Sequence, residues 1–378
     1  MCGFDPLRRH HASGSLALAL VASLGAAVLL SRARDATPAS PPLPRDSLPA
    51  VMEREKIPRG LDAPRPVPAD NPMELDRVQL GRKLFFDPML SRDRTVACAS
   101  CHDPARGFAS ADPVAIGIEG RRGRRNAPSL LNRAYAKSLF WDGREATLES
   151  QALKPIEDAL EMGNTVAEVV KRLRADGAYA ASFTRAFGGE PDAANLAKAL
   201  AAFQRTLVIG GSRIDAFRAG DVAQVSEQER HGFWVWESKG GCWRCHSGAN
   251  FTDEQFHNTG VSAGREPADP GRSAVTGLGA DRGKFKTPSL RGVAWTAPFM
   301  HDGSIATLEE VVEFYNRGGR ANPNLDAAVK PLGLNAEEVQ SLVAFLKALS
   351  EGDGPAGTLK LPADKPALAP GKDGKPSP

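Results

Sequence analysis

Two pentapeptides in this chain carry the same chemistry, Cys98-Ala-Ser-Cys101-His102 and Cys242-Trp-Arg-Cys245-His246. A Cys-x-x-Cys-His run offers two thiols that add across the vinyl groups of a porphyrin, and an adjacent imidazole that takes the iron. The three groups must close on one rigid macrocycle, and this spacing does so. A zinc ribbon also pairs Cys-x-x-Cys units, but about 15–20 residues apart. Here His246 follows His102 by 144 residues. A thioredoxin-type pair sits in a βαβ unit and needs no His beside its second Cys. The motifs therefore predict two covalently attached c-type haems with His102 and His246 as proximal ligands. Of the five cysteines, only Cys2 lies outside them.

The elements that must position these groups read as helices joined by long loops. Asn71-Pro72 is a good N-cap and N1 pair for a helix running to about Phe86. Thr165-x-x-Glu168, Ser226-x-x-Glu229, Thr307-x-x-Glu310 and Asn335-x-x-Glu338 each read as a helix start. Asp192 to Val208 is rich in Ala and Leu and reads as helix. Alternating strand patterns are nearly absent. The Gly-rich loops 117–126 and 258–283 are expected to line haem faces. No tandem repeat in the solenoid range is found, and the two haem segments are not obviously alike.

Composition is that of an ordinary globular protein: 378 residues, 42% apolar, 25% charged, with room for two domains. The net charge of +3 is too small to argue for nucleic acid or a membrane surface as partner. Near the N-terminus, Arg8, Arg9, His10 and His11 precede an uncharged Leu/Ala-rich stretch of 16 residues, Ser15 to Leu30. That length falls between a signal h-region and a spanning helix. Residues 1–30 are thus expected to be a signal peptide or an uncleaved inner-membrane anchor. Either one directs the rest to the periplasm, soluble or tethered, where c-type haem is attached. Residues 31–71 read as a Pro-rich linker and 352–378 as a disordered tail.

The ordered landmarks between Leu80 and Leu349 identify a family. They are Leu84-Phe-Phe-Asp-Pro88, the first haem motif, Arg125-Asn-Ala-Pro-Ser129, Phe140-Trp-Asp-Gly-Arg144, Glu161-Met-Gly163, the second motif, Lys286-Thr-Pro-Ser-Leu-Arg291 and His301-Asp-Gly303. The chain resembles the bacterial dihaem cytochrome c peroxidase/MauG family. The resemblance implies an all-α fold of two cytochrome c-like haem domains with long loops. Residues 72–220 would form the N-terminal peroxidatic domain and 221–351 the C-terminal electron-transfer domain. It implies Glu161 as the catalytic carboxylate over the first haem, Gln151 as a distal amide and Trp141 as the indole between the haems. It further implies one calcium ion held by Asn126, Thr296 and Pro298. A carboxylate suits the chemistry, because peroxide must lose one proton to bind iron and gain one for the O–O bond to break.

Two positions separate this chain from many of the peroxidases. The loop 103–125 contains no His, Met, Cys or Tyr, so the first haem should be open to peroxide without prior reduction. Fourteen residues after His301, where the peroxidases carry Met, stands Tyr315. The resemblance implies Tyr315 as the distal ligand of the second haem, with Met300 as the rival. Tyr315 also shares a helix face with Leu308, Val311 and Val312, the pattern of a core tyrosine. A phenolate is anionic and favours ferric and higher iron states, whereas a thioether favours ferrous iron.

The expected function is a dihaem c-type peroxidase. It reduces hydrogen peroxide at the first haem and receives electrons at the second from a small cytochrome c or cupredoxin. One alternative is a maturase that oxidises side chains of a protein substrate. The other is a non-catalytic dihaem electron-transfer cytochrome, which would need two strong protein ligands on each iron.

Overall fold

The computed structural model describes residues 57–351. The expected signal or anchor, most of the expected linker, and the expected tail lie outside these residues. Among the described residues no helix is long and apolar enough to cross a membrane.

The fold is mostly helical, and the helix starts are set by side-chain caps. Helices α1 (Leu75–Phe86), α2 (Leu148–Glu157), α3 (Val166–Ala175), α4 (Gly177–Phe187) and α5 (Ala193–Gln204) belong to the first half. Helices α6 (Arg213–Arg218), α7 (Glu227–Glu237), α8 (Leu308–Asn316) and α9 (Ala336–Ala348) belong to the second. Thr165, Ser226, Thr307 and Asn335 each accept a hydrogen bond from the backbone N–H three residues on, as their spacing predicts. α5 starts after Asp192 as expected but ends at Gln204 instead of reaching Val208.

The first helix corrects the reading of Asn71. It starts at Leu75 after Glu74, which makes no side-chain cap. Asn71 is fully buried instead, and its Nδ2 donates to Glu149 Oε1 at 2.7 Å and to the Lys198 carbonyl at 3.0 Å. An Asn that can anchor two distant segments in the interior is worth more there than at an exposed helix end.

Among the described residues, sheet is limited to β1 (Phe256–His257) and β2 (Phe285–Lys286), an antiparallel pair with Phe256 opposite Lys286 and His257 opposite Phe285. Each half has its own apolar core. One runs from Leu80 to Ile209 and centres on Phe85, Phe108, Phe183 and Phe203. The other runs from Ile214 to Leu349 and centres on Trp236, Phe251 and Phe345. In both, a glycine lets two helices cross closely. A Cβ on Gly81 of α1 would lie 1.8 Å from the Ala199 carbonyl oxygen of α5. A Cβ on Gly232 of α7 would lie 1.9 Å from the Ser341 carbonyl oxygen of α9.

The two halves are alike, contrary to the sequence reading. Pro128-Ser-Leu130 and Pro288-Ser-Leu290 lie 160 residues apart, as do Asp142-Gly143 and Asp302-Gly303, and Thr147-Leu-Glu149 and Thr307-Leu-Glu309. The backbone follows the same offset. Leu139 bridges to Glu145 and Phe299 to Ile305; Phe140 and Met300 both have positive φ, 66° and 73°; Thr147 caps α2 as Thr307 caps α8. Across this offset Trp141 corresponds to His301, and Pro155 to Tyr315.

Candidate active site

Each haem motif forms a tight turn that brings its His round to face its first Cys. Cys98–Cys101 is a single α turn, and His102 N–H donates to the Cys98 carbonyl at 2.9 Å. Cys242–Arg244 is a 3-10 turn, and His246 N–H donates to the Cys242 carbonyl at 2.9 Å. The imidazoles are fixed in the same way. His102 Nδ1 lies 2.9 Å from the Phe108 carbonyl, and His246 Nδ1 lies 3.0 Å from that of Phe251. A carbonyl only accepts, so each Nδ1 carries the proton and each Nε2 keeps its lone pair. That is the tautomer an iron ligand needs. Burial lowers both imidazole pKa values and keeps the rings neutral. The four thiols are not paired in disulfides. Burial pushes Cys98 and Cys242 up to about 12 and Cys101 to about 11.

Both motifs open into one continuous cavity of about 1440 Å³. Single ligand pockets span about 300–1,000 Å³, so this volume suits more than one large group. Its wall is mostly apolar, and its charged side chains are eight Arg or Lys against four Asp or Glu. Part-buried thiols that line the cavity, accepting imidazoles, an apolar wall and a cationic surplus together fit two porphyrins bearing carboxylates.

Glu161 and Gln151 line this cavity with His102. Gln151 is carried by α2, and Glu161 by the turn that follows it. Glu161 N–H donates to the Asp158 carbonyl at 3.1 Å, and its own carbonyl accepts from Ile118 N–H at 2.8 Å. Gly117 makes that approach possible, since a Cβ there would lie 2.0 Å from the Leu160 carbonyl oxygen. The Glu161 carboxyl is pushed up to about 7. Burial is the main cause, Asp158 adds to it, and Arg144 opposes it. A carboxyl with this affinity both takes and returns a proton near neutrality.

Trp141 lines the same cavity. Its Nε1 donates to the Asn126 carbonyl at 2.9 Å, and its own carbonyl accepts from Lys286 N–H at 2.8 Å. Its ring meets His301 edge-on at 6.5 Å, and His301 stacks on Phe285 at 3.6 Å. Asn126, Thr296 and Pro298 also line the cavity. Asn126 Nδ2 donates to the Asp112 carbonyl at 2.9 Å, which leaves its side-chain oxygen as the atom available to a cation. Both rivals for the second iron, Tyr315 and Met300, line the cavity as well. On α8, Leu308, Val311 and Tyr315 line the cavity, and Val312 and Phe314, buried like Leu308, do not. Burial raises the Tyr315 phenol to about 12.

The family model for di-haem cytochrome c peroxidase matches residues 75–223. Methylamine utilization protein MauG of Methylorubrum extorquens is 38% identical over 327 residues, covering 86% of this chain and 91% of that protein. Cytochrome-c peroxidase IdrP1 of Denitromonas iodatirespirans is 37% identical over 348 residues, covering 82% and 92%. The chain belongs to the dihaem cytochrome c peroxidase/MauG family. Among solved structures, a MauG-like protein associated with microbial copper homeostasis superposes with a TM-score of 0.69 at 36% identity, covering 79% of this chain and 93% of that one. Membership makes the protein a dihaem peroxidase, an oxidoreductase acting on hydrogen peroxide.

Three cavity residues were missed in the sequence. His257 is held between Asp326, 2.6 Å from its Nδ1, and Asp253, 2.9 Å from its Nε2. The Cys245 sulfur, then these carboxylates, raise it to about 10. Cys245, Asp253 and His257 are close enough to hold a metal, but Cys245 belongs to the haem motif. Arg133 and Lys286 also line the cavity, and both pair with Glu254. Lys286 opens the Lys286-Thr-Pro-Ser-Leu-Arg291 landmark, but no local motif marks its role or those of His257 and Arg133.

Proposed function

We propose a periplasmic c-type peroxidase in which hydrogen peroxide is reduced at the first motif and electrons enter at the second. His102 and His246 would hold the irons, with the haems attached through Cys98 and Cys101 and through Cys242 and Cys245. A haem at His102 supplies the redox chemistry that cleaves peroxide. Glu161 takes the proton that bound peroxide must lose and returns it to the departing oxygen, which leaves as water. Gln151 orients the substrate by hydrogen bonding. Trp141 passes electrons between the motifs. Tyr315 would ligate the second iron, and Asn126, Thr296 and Pro298 would hold a calcium ion with hard oxygen donors. Each apolar core with its motif forms one haem domain, and the cores favour a boundary between Ile209 and Ile214 over the expected one at 220/221. The electron source is a small cytochrome c or cupredoxin, with a protein substrate as the alternative.

The observation that carries this reading is the Glu161 carboxyl, raised to about 7 in the cavity that His102 lines. Glu161→Gln keeps the size and removes the acid–base function. Peroxide turnover should fall by about 10²-fold or more, the range for losing a positioned proton-transfer group, with the haem spectrum of the resting protein unchanged. Wild-type turnover in that variant would remove Glu161 from the mechanism.

A further inference from the structure

We propose that Arg133 and Lys286, braced by Glu254, bind a carboxylate of the cofactor at the second motif, a propionate side chain of that haem. The proposal rests on the reading that this motif carries haem.

The three side chains form a buried ion cluster of unequal charge. Arg133 Nη1 lies 3.3 Å from Glu254 Oε1, and Lys286 Nζ lies 3.2 Å from Glu254 Oε2. Side-chain exposure is 11% for Arg133, 7% for Lys286 and 8% for Glu254. Two cations thus share one carboxylate, away from water. A buried uncompensated charge is costly, so the cluster calls for one more anion. Its donors are only partly used. Lys286 Nζ donates to the Ser138 carbonyl at 2.5 Å and to Glu254, and an ammonium has a further proton to place. Arg133 Nε donates to the Leu131 carbonyl at 3.2 Å, which leaves part of its fork unengaged.

Both cations line the cavity, so the missing anion belongs there. The cluster is also tied to the second motif. Asp253 N–H donates to the Cys245 carbonyl at 2.7 Å, which fixes the turn carrying Glu254 to that pentapeptide. Lys286 N–H holds the Trp141 carbonyl, so the site would fix the edge of the second haem beside the indole. A fixed, dissociation-proof anion is what a covalently attached cofactor supplies, and a dissolved ion does not.

The test is spectroelectrochemical titration of the isolated dihaem protein and its variants. Lys286→Met removes a positive charge beside the cofactor, so it favours the ferric state. One of the two midpoint potentials should fall by about tenfold in the reduction equilibrium, ~59 mV for one electron. Glu254→Gln removes a negative charge and should raise the same potential by a comparable factor, which keeps the test sound should Lys286→Met not fold. Lys286→Arg should stay near wild type. Both potentials unmoved in Lys286→Met and Glu254→Gln, with only a lowered melting temperature, would make the cluster a structural brace and overturn the proposal. A wild-type potential that shifts with added chloride or acetate, and ceases to in Lys286→Met, would also overturn it, because the anion would then be a dissolved one. The pyridine haemochrome assay separates the two levels of failure. Fewer than two haems in the wild type removes the haem reading itself, whereas two haems with unmoved potentials removes only this site.

Discussion

Burial, the negative charge of Asp158 and the positive charge of Arg144 set the proton affinity of Glu161, in that order. The ionised form must take the first proton, so the rate of peroxide consumption should rise with pH through about 7 and fall below it. Asp158→Asn removes a charge that disfavours ionisation and should move the midpoint to lower pH; Arg144→Gln should move it higher. Midpoints that stay put in both variants, read from initial rates against pH, would detach the profile from Glu161. The second iron offers a parallel test. Burial holds the Tyr315 phenol at about 12, so a phenolate forms near neutrality only against a strong cation. Tyr315→Phe should raise the potential of one haem and change its visible spectrum, and Met300→Leu should do neither. The reverse pattern would give the ligand to Met300. His102 and His246 were legible in their own motifs, and Glu161 and Tyr315 were singled out by the family resemblance; all four line the cavity. The roles of Arg133, Lys286 and His257 were not legible, because charge balance in a wall is a property of three dimensions.

Helix starts were legible for a related reason, since a cap is a local contact. Thr165, Ser226, Thr307 and Asn335 each satisfy an N–H three residues on, and no distant residue is needed to see it. Asn71 shows the limit. Its partners Glu149 and Lys198 lie far along the chain, and that tertiary pull overrode its capping preference. The internal repeat escaped notice because only scattered residues are shared while the intervening turns keep their shape. It yields a prediction about α2 and α8, whose caps Thr147 and Thr307 correspond. Pro155 occupies on α2 the position that Tyr315 occupies on α8, and both line the cavity. Proline has no side-chain donor for a metal, which agrees with an open first site. Pro155→Tyr should therefore place a phenol over the first iron. Carbon monoxide binding to the reduced protein and peroxide turnover should both fall about tenfold or more. Unchanged carbon monoxide binding would mean that the two helices do not present equivalent positions to their haems.

The described residues form two main apolar cores that both border the cavity, and that arrangement ties stability to the cofactors. Left unfilled, a mostly apolar wall gives up the contacts that a filled core would make, and a domain has only about 5–15 kcal/mol of stability to lose. The cores also differ in membership, one ending at Ile209 and the other beginning at Ile214. Loss of one haem should then unfold one core before the other. Replacing Cys98 and Cys101 by Ser should erase hydrogen-exchange protection in α1 and α5 while leaving much of it in α7 and α9. Replacing Cys242 and Cys245 should do the opposite. The links between the halves limit that independence. Arg125 holds Asp142 of its own half at 2.7 Å and grips Asp269 of the other with two bonds, at 2.7 and 2.8 Å. Partial protection loss in the unmutated half is thus expected near Asp269 and β2. Equal loss throughout, after either pair of substitutions, would show a single cooperative unit in which each haem stabilises both cores.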